Sequence, residues 1–416
     1  MSNPSLLCVP YRFKTSTLYS QIPDSGLGDF TVTRSASNAA TRVNSAGRIE
    51  TVLDNVPRLD YPLGGISAGC PALLVEPSGT NLALQSENFG TTWSPNQLLA
   101  FGSGSVLNTT ATLDPYGTNV ADLIVANTTG GTQHRIEQTT VSASGSYTFS
   151  VFVKAAGYNF AWVRIGTVGA FFNLSNGAVT DISAGIVASS QNYGNGWYRC
   201  IVSKASSSAN EILRINIIQS APTTDFAGDG TSGIYVFGAQ YELNTVATSY
   251  IPTTTGSVTR GAEVVSKTGV SSLIGQTQGT IYAEFSVDFN NRNADILSIN
   301  AGNSNNGFFM SLRDTSVVQL IVRTLGNNEL IFQRVGAFSI GVNKLAMAYK
   351  NGDFAICLNG TAVQTNTNNI TMPSVSINKV GLGDSALYVL DRQLRIRSVA
   401  LYTTRLTNAQ LQSLTQ

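Results

Sequence analysis

LAMAYKNGDFAICLNGTAVQT, residues 345–365, carries two Asn-Gly pairs, Asn351-Gly352 and Asn359-Gly360, eight residues apart. Asn-Gly supplies the left-handed backbone of a two-residue hairpin turn, so the three runs around these pairs read as an antiparallel meander. In the middle run Phe354, Ile356 and Leu358 share one face by period two, and Cys357 falls on the other. A meander of this kind is a piece of an all-β sandwich.

Earlier parts of the chain repeat the pattern. SYTFSVFV (146–153), FAWVRI (160–165), ILRINII (212–218) and IYVF (234–237) are dense in β-branched and aromatic residues. Asn176-Gly177 and Asn195-Gly196 mark further hairpins between such runs. Strands at this spacing, with no helical periodicity between them, imply a sandwich or jelly roll. One short helix is expected at the C-terminus, in LTNAQLQSLTQ, where Thr407 and Gln410 form a capping box and Leu411 and Leu414 an apolar stripe.

Eight of the twelve prolines lie at or before Pro95 and only three follow Pro115. That shift sets off a loop-rich N-terminal module over residues 1–90, with FTVTR (30–34) and ALLV (72–75) as its best strands. A proline-pinned segment from Pro57 to Phe89 drapes toward the next module. A jelly-roll-like sandwich is expected over 91–250, a linker over 251–268, and a second sandwich over 269–416.

Charged residues make up only 12% of the chain, about half the usual share of roughly 25%, and the formal net charge is +1. Nucleic-acid binding calls for a basic face, which this balance does not supply. No run reaches the ~20 apolar residues of a membrane span, and the N-terminus lacks the pattern of a signal peptide. Cys8, Cys70, Cys200 and Cys357 are widely spaced, without a C-x-x-C or zinc pattern, and read as free thiols. A durable, weakly charged surface without an export signal fits a particle assembled inside a cell and released by lysis.

Chemistry is sparse. The single histidine, His134, has no cysteine or second histidine near it in sequence, so a metal or Ser/His-type unit is not expected. Glu284 and Asp288 share a strand face but stand ~13 Å apart at ~3.3 Å per residue, beyond the ~5–9.5 Å of glycosidase pairs. Asp225 and Asp229 in DFAGDG suit either an ordinary turn or a calcium-holding loop, though the ligand periodicity of a true calcium loop is missing. Arg392, Arg395 and Arg397 cluster in DRQLRIRS, where a solvated strand is the plainer reading and a contact patch the alternative. Trp93, Trp162 and Trp197, with Tyr158 and Phe160, are either core aromatics or a stacking platform for sugar rings. No phosphate-binding glycine loop is present. No catalytic, metal or cofactor-binding residue is therefore assigned, and no cofactor is expected.

Several strings run in a characteristic order: RVNSAGRIE (42–50), PRLDYPLGG (57–65), CPALLVEPSGTNLALQSENF (70–89), YTFSVFVKAAG (147–157), NGWYRC (195–200) and YVFGAQYELNTVATSYIPTTTGSVTRGAE (235–263). Over about residues 1–265 the chain thereby resembles bacteriophage virion proteins of the fibre and appendage type. YKNGDFAICLNGTAV (349–363) and VALYTTRLTNAQLQSLTQ (399–416) resemble a concanavalin A-like (laminin-G-type) sandwich. The resemblance implies a non-enzymatic head fibre, capsid decoration or tail fibre located in the virion. It implies a homotrimer, docked to capsid or tail proteins through its N-terminal module, whose sandwiches meet host or environmental glycans. It supplies no matched ligand residues. The alternatives are a glycan-degrading or receptor-binding tail protein and a cell-encoded adhesin.

Overall fold

The computed structural model describes residues 3–35, 40–288, 293–313, 317–334, 338–384, 387 and 393–416. It is all-β, and every ladder between its strands is antiparallel. A six-stranded sheet runs in the order Ser94–Asn96, His134–Thr139, Ile212–Ile218, Phe160–Ile165, Val168–Asn173, Val179–Thr180. It faces a five-stranded sheet ordered Asp122–Val125, Gly233–Glu242, Gly145–Ala156, Trp197–Ser207, Ile186–Gly194. Ile136, Val163 and Ile215 from the first meet Phe149, Val151, Val202 and Val236 from the second in one buried core. Asn195 and Gly196 both take positive φ, 49° and 77°, as the tight hairpin between Ile186–Gly194 and Trp197–Ser207 requires.

The second sandwich is larger. Its eight-stranded sheet runs Gln364–Asn366, Phe354–Leu358, Gly341–Lys350, Gln278–Val287, Leu394–Tyr402, Ala72–Val75, Leu59–Asp60, with Leu6–Cys8 also paired to Leu394–Tyr402. The opposing nine-stranded sheet runs Phe13–Lys14, Thr17–Leu18, Phe30–Arg34, Glu263–Thr268, Lys379–Leu382, Ala294–Asn300, Gly307–Arg313, Val317–Thr324, Asn327–Arg334. In the Asn-Gly meander Phe354, Ile356 and Leu358 enter the core between these sheets, while Cys357 and Ala355 face the other way. That outer face is covered by the helix Asn408–Leu414, whose Leu411 packs with Ala346, Ala348, Cys357 and Ala400. Its capping box is present, with Thr407 Oγ1 accepting from the Gln410 amide and the Gln410 side chain accepting from the Thr407 amide.

The N-terminal region is not a separate module: its only sheet of its own among the described residues is the small ladder of Ala40–Val43 with Ile49–Val52. Strands from residues 6–34 and 59–75 complete both sheets of the C-terminal sandwich, and 263–268, within the expected linker, is one of its strands. Leu6, Leu18, Phe30, Val32, Leu59, Leu73 and Val75 are all in its core. At about 1.5–3 kcal/mol per buried side chain, these contacts are worth on the order of 10–20 kcal/mol before entropy. A domain's net stability is about 5–15 kcal/mol, so the C-terminal sandwich depends on the N-terminal segment. Composition marks loops well, but it carries no information about which distant strand a short run will join.

Candidate functional site

The two sandwiches meet at a buried ionic joint. Arg58, Glu76 and Arg260 are completely buried, and Arg34 and Glu263 nearly so. Arg58 Nη2 lies 2.7 Å from Glu263 Oε2, and Arg58 Nη1 lies 2.8 Å from Glu76 Oε2. Arg34 Nη1 reaches Glu263 Oε1 at 3.1 Å, and Arg260 stands 3.4 Å from Glu76 and 3.6 Å from Glu263. The loop after strand Gly233–Glu242 closes the joint, because Ser249 donates both its amide and its hydroxyl to Glu76, at 2.9 and 2.6 Å. Burial pushes the Glu76 carboxyl up, but Arg260 and Arg58 outweigh it and hold the group far below the usual carboxylate range. Next to it Glu242 accepts from the Thr248 amide and hydroxyl and from Gln240. Asn81 ties in the proline-rich segment through Ala239 and Ile251 carbonyls at 3.0 and 2.8 Å.

A cleft of about 430 Å³ opens beside the joint, lined by Asp60, Tyr61, Tyr193, Asp288, Arg395 and Arg397 among others. Arg395 sits between two carboxylates, with Nε 2.8 Å from Asp60 and Nη1 2.7 Å from Asp288. Burial works to lower its pKa, and Asp288 and Asp60 outweigh that, so the guanidinium is held firmly charged. Arg397 Nε pairs with Glu284 at 2.9 Å. The Glu284 and Asp288 of the sequence reading are thus each engaged by an arginine. Arg392 lies outside the described residues.

The other candidates divide clearly. His134 is fully buried, its ring nitrogens facing the Gln97 and Phe226 carbonyls, and it fastens two loops together. Asp229 accepts from the Thr231 and Ser232 amides and the Ser232 hydroxyl, which lower its pKa. Among the described residues no group of three or more His, Cys, Asp or Glu is arranged to hold a metal ion. All four cysteines are free thiols, with only Cys70 exposed. Trp93 and Trp197 are core residues whose indole N–H groups donate to the Leu84 and Leu113 carbonyls. Tyr158 is also buried in the first core.

Phe160 and Trp162 are half-buried and share the outer face of the six-stranded sheet. Register places Arg135, Asn216, Trp162 and Phe171 in one row across that face, and Glu137, Arg214 and Arg164 in the next. Trp162 stacks on Phe171 with centroids 5.0 Å apart, and the Arg164 guanidinium carbon lies 3.9 Å from the indole centroid. Glu137 Oε2 accepts from Arg135 Nε at 2.9 Å and from Arg214 Nε at 2.8 Å. Arg164 Nη2 donates only to amide oxygens, Gln133 Oε1 at 3.1 Å and Asn216 Oδ1 at 3.0 Å. Sequence reasoning singled out the aromatics of this face and missed its arginines. The i, i+2 spacings of Trp162 with Arg164, Arg135 with Glu137 and Arg214 with Asn216 were the available signal, but only register brings the three strands together.

No protein-family model matches the chain, and no curated protein matches it by sequence. Among solved structures it is similar to the CBM40 module of the Ruminococcus gnavus IT-sialidase, at 18% identity and a TM-score of 0.30, over 36% of this chain and 91% of that one. It is similar to the NanB sialidase from Streptococcus pneumoniae at 20% identity and a TM-score of 0.31, over 36% of this chain and 26% of that one. The leech intramolecular trans-sialidase matches at 19% identity and a TM-score of 0.29, over 34% of this chain and 23% of that one. The chain thus spans about a quarter of the two sialidases' length. The likeness extends to the β-sandwich and no further.

Proposed function

We propose that this chain is a non-enzymatic structural protein of a bacteriophage virion, a head fibre, capsid decoration or tail fibre, that holds two β-sandwiches as one rigid unit and presents them to glycans. The buried ionic joint carries this reading. It draws Arg34, Arg58, Glu76, Arg260 and Glu263 from segments far apart in sequence, and Ser249, in the loop after strand Gly233–Glu242 of the first sandwich, bonds to both Arg58 and Glu76 within it. The strings that resemble virion appendage proteins include PRLDYPLGG, CPALLVEPSGTNLALQSENF and YVFGAQYELNTVATSYIPTTTGSVTRGAE, which supply all of these groups except Arg34. The pairing of Glu284, Asp288 and Asp60 with arginines supports a binding role over acid–base hydrolysis, which needs a carboxyl free to exchange a proton.

Antibody labelling of intact particles by electron microscopy tests the virion assignment, and particles without label would refute it. Release of reducing ends from a polysaccharide panel would overturn the non-enzymatic part. Light scattering at the mass of a trimer is expected for the assembled form, and a stable monomer would remove the trimer from the proposal.

A further inference from the structure

The cleft beside the joint is built from both sandwiches. Its floor is the outer face of the eight-stranded sheet, where register sets Val342, Ser286 and Arg395 in one row across three strands. One wall comes from the first sandwich, with Gln191 and Tyr193 on its edge strand Ile186–Gly194. The other is the proline-rich segment, with Tyr61, Pro62 and Leu63. At about 430 Å³ the space falls in the range of roughly 300–1,000 Å³ that holds small molecules, and such sites favour domain boundaries.

The polar groups that line it are fixed in place but not used up. Arg395 is clamped between Asp60 and Asp288, so its position is set before any ligand arrives. Asp288 receives Arg395 and Gln393 on Oδ2 alone, and its Oδ1 has no partner among the described residues. Arg397 gives Nε to Glu284, and its two Nη groups have no partner among the described residues. The same holds for the Tyr61 and Ser286 hydroxyls and the Gln191 side-chain amide. The side chains of Asp288 and Arg397 are 35% and 29% exposed, so both are reachable from solvent.

Charge balance decides the class of ligand. Along the lining Asp60 and Asp288 offset Arg395 and Arg397, so the cleft has no excess charge with which to draw an anion or a cation. Its free groups are instead acceptors and donors side by side, which suits hydroxyls, since each of them both donates and accepts. Leu63, Pro62 and Val342 add an apolar portion to the same space. From this geometry we infer that the cleft between the sandwiches binds a neutral saccharide. Asp288, Arg397, Gln191 and Ser286 hold its hydroxyls, and Leu63 and Val342 meet its apolar C–H face. The inference deepens the glycan-presenting part of the proposed function and rests on it.

Titration calorimetry of the full chain with maltotriose, cellotriose, mannotriose, galactotriose and the acidic trigalacturonate tests the site. At least one neutral trisaccharide is expected to bind tenfold or more tightly than trigalacturonate, with an affinity that does not change as salt rises. Val342→Trp, at a position 50% exposed, fills the mouth of the cleft and should weaken that binding tenfold or more. Arg397→Gln, which removes donors at a half-exposed site, should do the same and serves where Val342→Trp fails to fold. Neutral binding that both variants leave unchanged would overturn the cleft as the site while leaving glycan presentation standing. Tighter binding of trigalacturonate, falling with salt, would overturn the neutral class. No binding of any saccharide would overturn both readings.

Discussion

Glu263→Gln is the sharpest perturbation of the joint. The Glu263 carboxylate accepts from Arg34 Nη1 at 3.1 Å, from Arg58 Nη2 at 2.7 Å and from the Glu76 amide at 2.9 Å, all within a buried setting. With its charge present, three arginines face two glutamates. With the charge gone, a single carboxylate, Glu76, must serve all three. The amide also presents N–H groups to a site that contains only donors on that side. Breaking a buried ion pair in this manner costs about 3–5 kcal/mol, and for a unit of this size that lowers Tm by about 10 °C.

The three tryptophans make the assay selective. Trp93, Trp162 and Trp197 all belong to the first sandwich, while Glu263 lies on a strand of the second. Urea unfolding followed by tryptophan fluorescence therefore reports the sandwich that was not mutated, and far-ultraviolet circular dichroism reports both. If the joint couples them, both midpoints fall together. Val264→Thr, at the neighbouring and 42% exposed position, is the control and should change stability by no more than about 0.5 kcal/mol. A Glu263→Gln protein whose fluorescence midpoint is unchanged, or whose total loss is below about 1 kcal/mol, would refute the coupling.

Asp122 gives a pH signature. Its buried carboxyl is pushed up to about 6, chiefly by burial, with hydrogen bonds from the Phe89 and Asn108 amides opposing. Because the folded value exceeds the unfolded one, its contribution is full below about 4 and is lost as pH rises through about 6. Thermal melts of the native chain should therefore lose on the order of 2–3 kcal/mol across that window, and Asp122→Asn should flatten the loss. Thr407→Ala removes the helix cap and should cost about 1 kcal/mol in urea. Glu284→Gln, in a half-exposed pair with Arg397, should cost less than about 1 kcal/mol in the same assay.

What the sequence reveals depends on the range over which each signal acts. Period-two alternation and Asn-Gly turns are local, and so the sandwich class, the 345–365 meander and the terminal helix are visible in the residues alone. Strand partnership is not local. ALLV at 72–75 reads as a strand, but nothing in those four residues says that Leu73 will sit opposite Ile396. The same limit hid the arginine face. Arg135, Arg164 and Arg214 lie on three strands whose order in the sheet is not their order in the chain. Burial of charge was likewise invisible, because Arg58 and Glu76 look like ordinary surface residues in a loop-rich segment.

That last point changes the meaning of the proline-rich segment from Pro57 to Phe89. Its prolines hold the chain extended, and the extension delivers Arg58, Asp60, Glu76 and Asn81 to Glu263, Arg395, Ser249 and the Ala239 carbonyl within one short span. An apolar interface of the same area tolerates sliding, since dispersion contacts are non-directional. Five buried charges do not, because a displacement of about an ångström leaves a guanidinium or carboxylate without its partner at a cost of several kcal/mol. The low overall charge of the chain sharpens this contrast. Charge is scarce on the surface, and a part of it is placed where two sandwiches must keep one orientation.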